Sequence, residues 1–387
     1  MNTVAQPPTR ERPAVMTWSV AGGLAAAMGI GRFVFTPLLP LMHGALGAQD
    51  GALVATANYV GYLLGALLLA ARPSLNSTRG FRVWAVLLVV SELAIALTGR
   101  SGHGLDVVSM SLLRGVAGFA SGVLFVGCAS VLAAHRARGA SPGLAFSGVG
   151  TGIAVSGLYV LALGHLLSWQ QLWIGSALLT AVLIGPLLWQ RIPAEATGVQ
   201  AHHRAAGTTG AWRLLLVSYF CEGLGYIIVG TFLVVAVAGQ GNSTLGPVVW
   251  VIVGVSCAPG AVLWHAIGAR LGTRRALWVA LVVQAIGAVL PAVTSSSAGA
   301  IVAAVTFGGT FIGITVLTLA AGAGLGVGRS ASRLTAVYGV GQVLGPLVVA
   351  PVIGSSYVVA FAVAGVVIAI AAAAAVAASL IQVSAAD

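Results

Sequence analysis

Twelve predominantly apolar stretches follow one another along this chain, with only short polar segments between most of them. Crossing a bilayer's hydrocarbon takes about 20 apolar residues as a helix, and only a helix or a closed barrel can satisfy its own backbone there. Runs of this length read as helices, so the pattern predicts an all-α membrane protein with twelve transmembrane helices. The expected spans are 17–41, 51–71, 81–98, 105–134, 141–167 and 171–190, then 212–238, 245–267, 275–293, 298–326, 330–354 and 356–383. The polar stretch 191–211 reads as a cytoplasmic linker between two six-helix bundles, 17–190 and 212–383. Residues 1–16 carry neither an apolar core nor a cleavage site, and are expected to form a cytoplasmic tail rather than a signal peptide. Charge agrees with this reading. Only 6% of the 387 residues are charged, against about 25% in soluble proteins.

The arginines orient the chain. With the N-terminus inside, Arg10, Arg12, Arg72, Arg79, Arg82, Arg136, Arg138, Arg191, Arg204, Arg213, Arg270, Arg274, Arg275, Arg329 and Arg333 are all cytoplasmic. Arg100 alone falls outside, and Arg32 and Arg114 lie within the membrane. Such a bias follows the positive-inside rule and predicts that both termini are cytoplasmic. All 18 basic residues are arginine. Without a lysine there is no P-loop ATP site and no Schiff-base chemistry, so transport by such a chain draws on gradients. The net charge of +11 resides mostly in short loops between apolar runs, which points to membrane orientation and not to nucleic acid. Three cysteines, all inside apolar runs, make no disulfide framework.

The two halves of the chain repeat each other. Gly29-Ile-Gly-Arg-Phe33 in the first run aligns with Gly223-Leu-Gly-Tyr-Ile227 in the seventh. Gly148-Val-Gly-Thr-Gly152 in the fifth aligns with Gly339-Val-Gly-Gln-Val343 in the eleventh. Offsets of 194 and 191 residues are those of a parallel six-plus-six duplication, so the two bundles are expected to be pseudo-symmetric. With these motifs the chain resembles the major facilitator superfamily along essentially its whole length. Gly268-Ala-Arg-Leu-Gly-Thr-Arg-Arg-Ala276 resembles that family's basic loop, with Ala269 where an acidic residue is usual. Arg114-Gly-Val-Ala-Gly118 resembles its Arg-x-x-x-Gly element, which the resemblance links to proton coupling. Gly148–Gly157 and Gly341-Gln-Val-Leu-Gly-Pro346 resemble the glycine-rich element of antiporter members. More narrowly, Gly29-Ile-Gly-Arg-Phe-Val-Phe-Thr-Pro-Leu-Leu-Pro40, with Glu222-Gly-Leu-Gly-Tyr226 and Gly230-Thr-Phe232, resembles the YbfB/YjiJ group of bacterial permeases. The resemblance implies the fold of that superfamily, with the first and seventh helices lining a central cavity, in a bacterial inner membrane.

Ionisable residues inside apolar runs are costly and usually face a bundle interior or a solute path. Arg32 is the first candidate, a fork of donors suited to a carboxylate. Glu222 lies about 15 Å into the seventh run at ~1.5 Å per residue, one turn from the position mirroring Arg32. It is the candidate proton carrier, with a permanent ion pair to Arg32 as its plainer role. Glu92 and Arg114 fall at nearly equal depth on adjacent helices; a structural ion pair is the favoured reading, a proton relay the other. Asn58, Tyr59, Tyr226, Thr231 and Gln342 are candidate cavity-lining residues, with Gln284 and Tyr338 behind them, and interhelical hydrogen bonding is the plainer role for each. Gly61/Gly65, Gly118/Gly122 and Gly341/Gly345 read as close-packing seams.

These features predict a monomeric, twelve-helix secondary transporter for a small anionic or zwitterionic organic solute, coupled to protons and working by alternating access. No cofactor or metal is expected. A drug or metalloid efflux permease is the alternative, raised for metalloids by Cys128, Cys221 and Cys257. A non-transporting receptor or scaffold is a second. No His-Glu-x-x-His or comparable cluster occurs in the apolar runs, so an enzyme is not expected.

Overall fold

Where an apolar run begins after a serine, a helix begins with it. Ser77, Ser141, Ser168, Ser296 and Ser356 each accept a hydrogen bond from a backbone N–H in the following turn, a cap worth about 1 kcal/mol. The computed structural model describes residues 13–99, 103–135, 139–192, 208–239, 245–327, 330–353 and 356–381. Most of the expected tail and of the expected linker, together with Arg10, Arg12, Arg100, Arg136, Arg138, Arg204 and Arg329, lies outside the described residues. Within them every regular element is helical. We number the long elements α1 (the broken span Ala14–Met42), α2 (Ala48–Ala71), α3 (Thr78–Ile95), α4 (His103–His135), α5 (Pro142–Leu163) and α6 (Trp169–Leu188). The second series is α7 (Thr208–Ala238), α8 (Leu245–Leu271), α9 (Thr273–Val293), α10 (Ser297–Gly324), α11 (Ser330–Ile353) and α12 (Tyr357–Leu380). Eleven of these segments are long and apolar enough to cross a membrane. The remaining one, α3, is 18 residues long and carries Arg79, Arg82 and Glu92.

Two expectations need correction. The linker does not extend to residue 211, because α7 starts at Thr208, and Thr208 and Ala211 are already buried against the helices around them. The first span is not one helix. It runs as an α-helix over Pro13–Leu24, widens into a π-helical stretch over Ala25–Ile30, turns, and resumes as the short helices Phe35–Leu38 and Leu39–Met42.

Helix packing brings α2 against α4, α3 against α4 and α6, and α1 against α5 and α6. In the second series α7 packs on α11 and α12, α9 on α10 and α12, and α8 on α10. The two series meet along α2–α11 and α5–α8. Glycine lets several of these pairs close up. A Cβ on Gly118 or Gly122 would strike the backbone of α2, and one on Gly61 or Gly65 would strike α4. Gly341 and Gly345 sit as tightly on α7. These seams are where the repeated glycine pairs placed them, since in lipid close van der Waals approach replaces the hydrophobic effect as the packing force. Exposed Leu97, Leu105, Val182 and Val293 give the outer surface the same apolar character as the interior.

Candidate functional site

The break in α1 is the centre of the site, and its chemistry begins with proline. Pro37 has no N–H to donate, and Pro40 is the second residue of the last, tighter turn; a proline inside a helix removes one rung and its ring pushes away the carbonyl four residues back. Upstream, the Gly31 N–H reaches back five residues to Ala26 O at 2.8 Å. Downstream, Thr36 N–H bonds Phe33 O at 3.1 Å rather than Arg32 O. A backbone carbonyl released at this depth costs several kcal/mol unless something else bonds it. Arg114, on α4, supplies the bonds. Its two terminal nitrogens donate to Gly31 O at 2.8 Å and to Arg32 O at 2.7 Å. Asn58 Nδ2 on α2 in turn donates to Arg114 O at 3.0 Å, which ties the arginine's helix to its neighbour.

That geometry corrects the favoured pairing of Glu92 with Arg114. The two share a neighbourhood, but no ion pair forms between them and both Glu92 oxygens lack a hydrogen-bond partner. Glu92 faces the Thr180 hydroxyl of α6 without a well-formed bond. The guanidinium of Arg114 has spent its fork on α1 and lies beside the rings of Phe35 and Trp173.

Arg32 is 2% exposed. One terminal nitrogen donates to Gln342 Oε1 on α11, a bond between residues 310 positions apart. Its guanidinium carbon lies 4.1 Å from the centre of the Tyr62 ring, 5.2 Å from Tyr59 and 5.4 Å from Phe33, so the cation is held against aromatic faces. Arg32 Nε and Gln342 Nε2 are buried donors without an acceptor. Arg32 makes no ion pair among the described residues, and the plainer reading of Glu222, a permanent pair with Arg32, is not what the geometry contains. Glu222 is instead fully buried, facing the Gln284 carboxamide of α9, and neither its oxygens nor the amide atoms form a hydrogen bond of good geometry.

Tyr226, the residue mirroring Arg32, joins a column of rings. It lies nearly parallel to Tyr338 on α11, at 5.3 Å, and to Phe311 and Phe307 on α10, at 5.9 and 6.2 Å. Tyr59 and Thr231 share a hydrogen bond of 2.9 Å between α2 and α7, and Thr231 also donates to Ile227 O. Thr36 Oγ1 donates to Gly230 O at 2.8 Å. Together with the buried run Ile227–Val237, these bonds shut the protein at the end where Met42 and Ala238 lie. The open cavity expected around Arg32 is therefore closed in this arrangement. Openings of about 780 and 610 Å³ lie elsewhere, one beside Leu93, Leu97 and Ile174 and one beside Arg274 and Arg275.

The structure thus gathers Arg32, Gln342, Tyr59, Tyr226 and Thr231 around one region, and gives Asn58 and Arg114 the task of holding α1. Thr36, Tyr62, Phe307 and Phe311 are additions that the sequence did not single out. Thr36 lay inside the Gly29–Pro40 motif without a feature of its own, and the aromatic residues carried no contrast within apolar runs. Cys128 and Cys257 are buried and Cys221 half-buried, and no group of three His, Cys, Asp or Glu able to hold a metal occurs among the described residues.

A family model described as "Uncharacterised MFS-type transporter YbfB" matches residues 24–378. The crystal structure of the nucleoside transporter NupG aligns with a TM-score of 0.71, over 94% of this chain and 99% of that chain, at 14% identity; at that identity the likeness speaks for the fold alone. A search of curated proteins finds no match. The family match spans nearly the whole chain and agrees with its helical architecture, and this chain belongs to the YbfB family of MFS-type membrane transporters.

Proposed function

We propose that the protein is a secondary active transporter of the bacterial inner membrane that moves a small anionic or zwitterionic organic solute by alternating access, coupled to protons. The observation that carries this reading is Arg32: a guanidinium 2% exposed, bonded to a neutral amide, with no carboxylate paired to it among the described residues. A charge buried this way is costly, and an anionic solute supplies the missing counter-charge in a bidentate geometry that a guanidinium favours. Gln342 gives up its bond to Arg32 as solute enters. Glu222 carries the coupled proton, since it is buried with no cation paired to it and a proton is the neutralising partner at hand.

The twelve helices act as two six-helix bundles, α1–α6 and α7–α12, joined by a cytoplasmic linker, and rock about the site between them. The helix pairing described above supports that division, with α2–α11 and α5–α8 as the seams on which the bundles move. With both termini cytoplasmic, the end sealed by Thr36–Gly230 and Tyr59–Thr231 faces outward, and the protein works as a monomer.

The test is solute and proton flux in proteoliposomes across a panel of organic acids, with Arg32→Gln and Glu222→Gln alongside. Arg32→Gln is expected to abolish flux, and Glu222→Gln to abolish proton movement while leaving solute exchange. Flux by Arg32→Gln at the wild-type rate would overturn the anion reading. Proton movement unchanged in Glu222→Gln would remove that residue from coupling.

A further inference from the structure

The surroundings of Arg32 differ on the two sides of the interface it crosses. The first half of the chain supplies the charge, and the second supplies a flat apolar wall. That wall is the ring column, and its geometry sets it apart from every other ring pair described. Tyr219–Tyr338, Tyr226–Tyr338, Tyr226–Phe311, Tyr226–Phe307 and Phe307–Phe311 are within 11° to 17° of parallel. Ring pairs outside the column are tilted by 38° to 73°. Aromatic side chains filling a core adopt edge-to-face and offset arrangements alike; five rings from α7, α10 and α11 sharing one orientation, Tyr219 at the far end on Tyr338, present parallel faces.

The column is continuous with the charged group. Tyr338 and Gln342 are one turn apart on α11, which puts both on the same face, and Gln342 is the residue bonded to Arg32. Phe311 meets Phe33, the neighbour of Arg32, at 6.5 Å. Two buried donors stand without acceptors at this junction, Arg32 Nε and Gln342 Nε2. A carboxylate has two oxygens to give them.

We propose that the solute is a planar aromatic carboxylate, held at its carboxylate by Arg32 and Gln342 and at its ring by the stacked faces of Tyr226, Tyr338, Phe307 and Phe311. The assignment rests on the anion-binding reading of Arg32 and narrows it to a chemical class. An aliphatic acid satisfies the guanidinium but leaves the parallel faces stacked only on one another. A neutral aromatic compound fills the stack but leaves the buried cation unpaired. An aromatic carboxylate answers both.

Isothermal titration of the purified full-length protein in detergent with benzoate, 2-naphthoate, cyclohexanecarboxylate and benzamide separates the possibilities. Benzoate and 2-naphthoate are expected to bind at least about tenfold more tightly than cyclohexanecarboxylate, the advantage of two ring faces, and benzamide to bind at least about tenfold more weakly than benzoate. Phe311→Leu, which keeps apolar bulk, is expected to shrink the preference for benzoate over cyclohexanecarboxylate to about threefold or less; Tyr338→Leu serves if that variant does not fold. Equal affinity for benzoate and cyclohexanecarboxylate, both lost in Arg32→Gln, overturns the aromatic class and leaves the anion reading standing. Benzamide binding as tightly as benzoate, or carboxylate binding unchanged in Arg32→Gln, overturns the anion reading beneath it. Failure of all four compounds to bind overturns the aromatic assignment.

Discussion

α1 and α7 are counterparts 194 residues apart, both carrying Gly-x-Gly near the middle, yet α1 is broken there and α7 runs unbroken from Thr208 to Ala238. Glycine does not account for the difference, because both helices have it. Two features do. Pro37 and Pro40 remove rungs from α1, and α7 contains no proline. The helix facing α1 also brings a guanidinium to the released carbonyls, whereas the helix facing α7 brings Phe307 and Phe311 to stack on Tyr226. A break at membrane depth survives only where its polar atoms find partners. One half of the chain has therefore become a polar, bent, cation-presenting wall, and the other a straight aromatic one. The two walls are joined by Arg32–Gln342, Thr36–Gly230 and Tyr59–Thr231.

Substitutions on the α1 side are expected to have the larger effects. Arg32→Ala should abolish solute flux while the protein is made and purified at wild-type yield, whereas Tyr226→Phe, which keeps the ring stack, should slow flux by no more than about threefold. Flux measured side by side tests the asymmetry, and equal losses would erase it. Next is the arginine that holds the break. Arg114→Ala leaves two carbonyls unbonded and should cost about 3 kcal/mol, seen as a lowered thermal midpoint in detergent. Arg114→Lys should recover less than half of that, because an ammonium has no fork.

Glu92→Gln should cost less than about 1 kcal/mol in the same assay, and adding it to Arg114→Ala should bring no recovery. A double variant more stable than Arg114→Ala would mean that Glu92 and Arg114 depend on each other after all. The smallest effect concerns the seal. Thr36→Val loses one buried hydrogen bond between the walls, worth about 1 kcal/mol, and should shift the closed-to-open balance by about fivefold. A cysteine at Leu39, 2% exposed in the closed arrangement, should then react faster with an impermeant maleimide. An unchanged rate would show that Thr36 does not hold the seal.

Much of the architecture was legible from residues alone. Apolar length marked spans, and the Gly61/Gly65, Gly118/Gly122 and Gly341/Gly345 pairs marked seams, because each of these effects acts between neighbours in sequence or through simple length. Arg32 and Glu222 stood out as charges in apolar surroundings. What the sequence determined by itself was therefore which segments are helical, which are long and apolar enough to span, and which residues are too polar to face lipid. Only the tertiary structure decided partners. Glu92 and Arg114 share a depth, but depth says nothing about direction around a helix axis, and Arg114 turns to α1 while Glu92 turns to Thr180. Gln342 reaches Arg32 across 310 residues, and Phe307 and Phe311 join Tyr226 from another helix. A soluble helix announces its inward face by a stripe of apolar residues. Here the outward face must also be apolar to meet lipid, so the pattern that would point each side chain is absent, and packing alone assigns the direction.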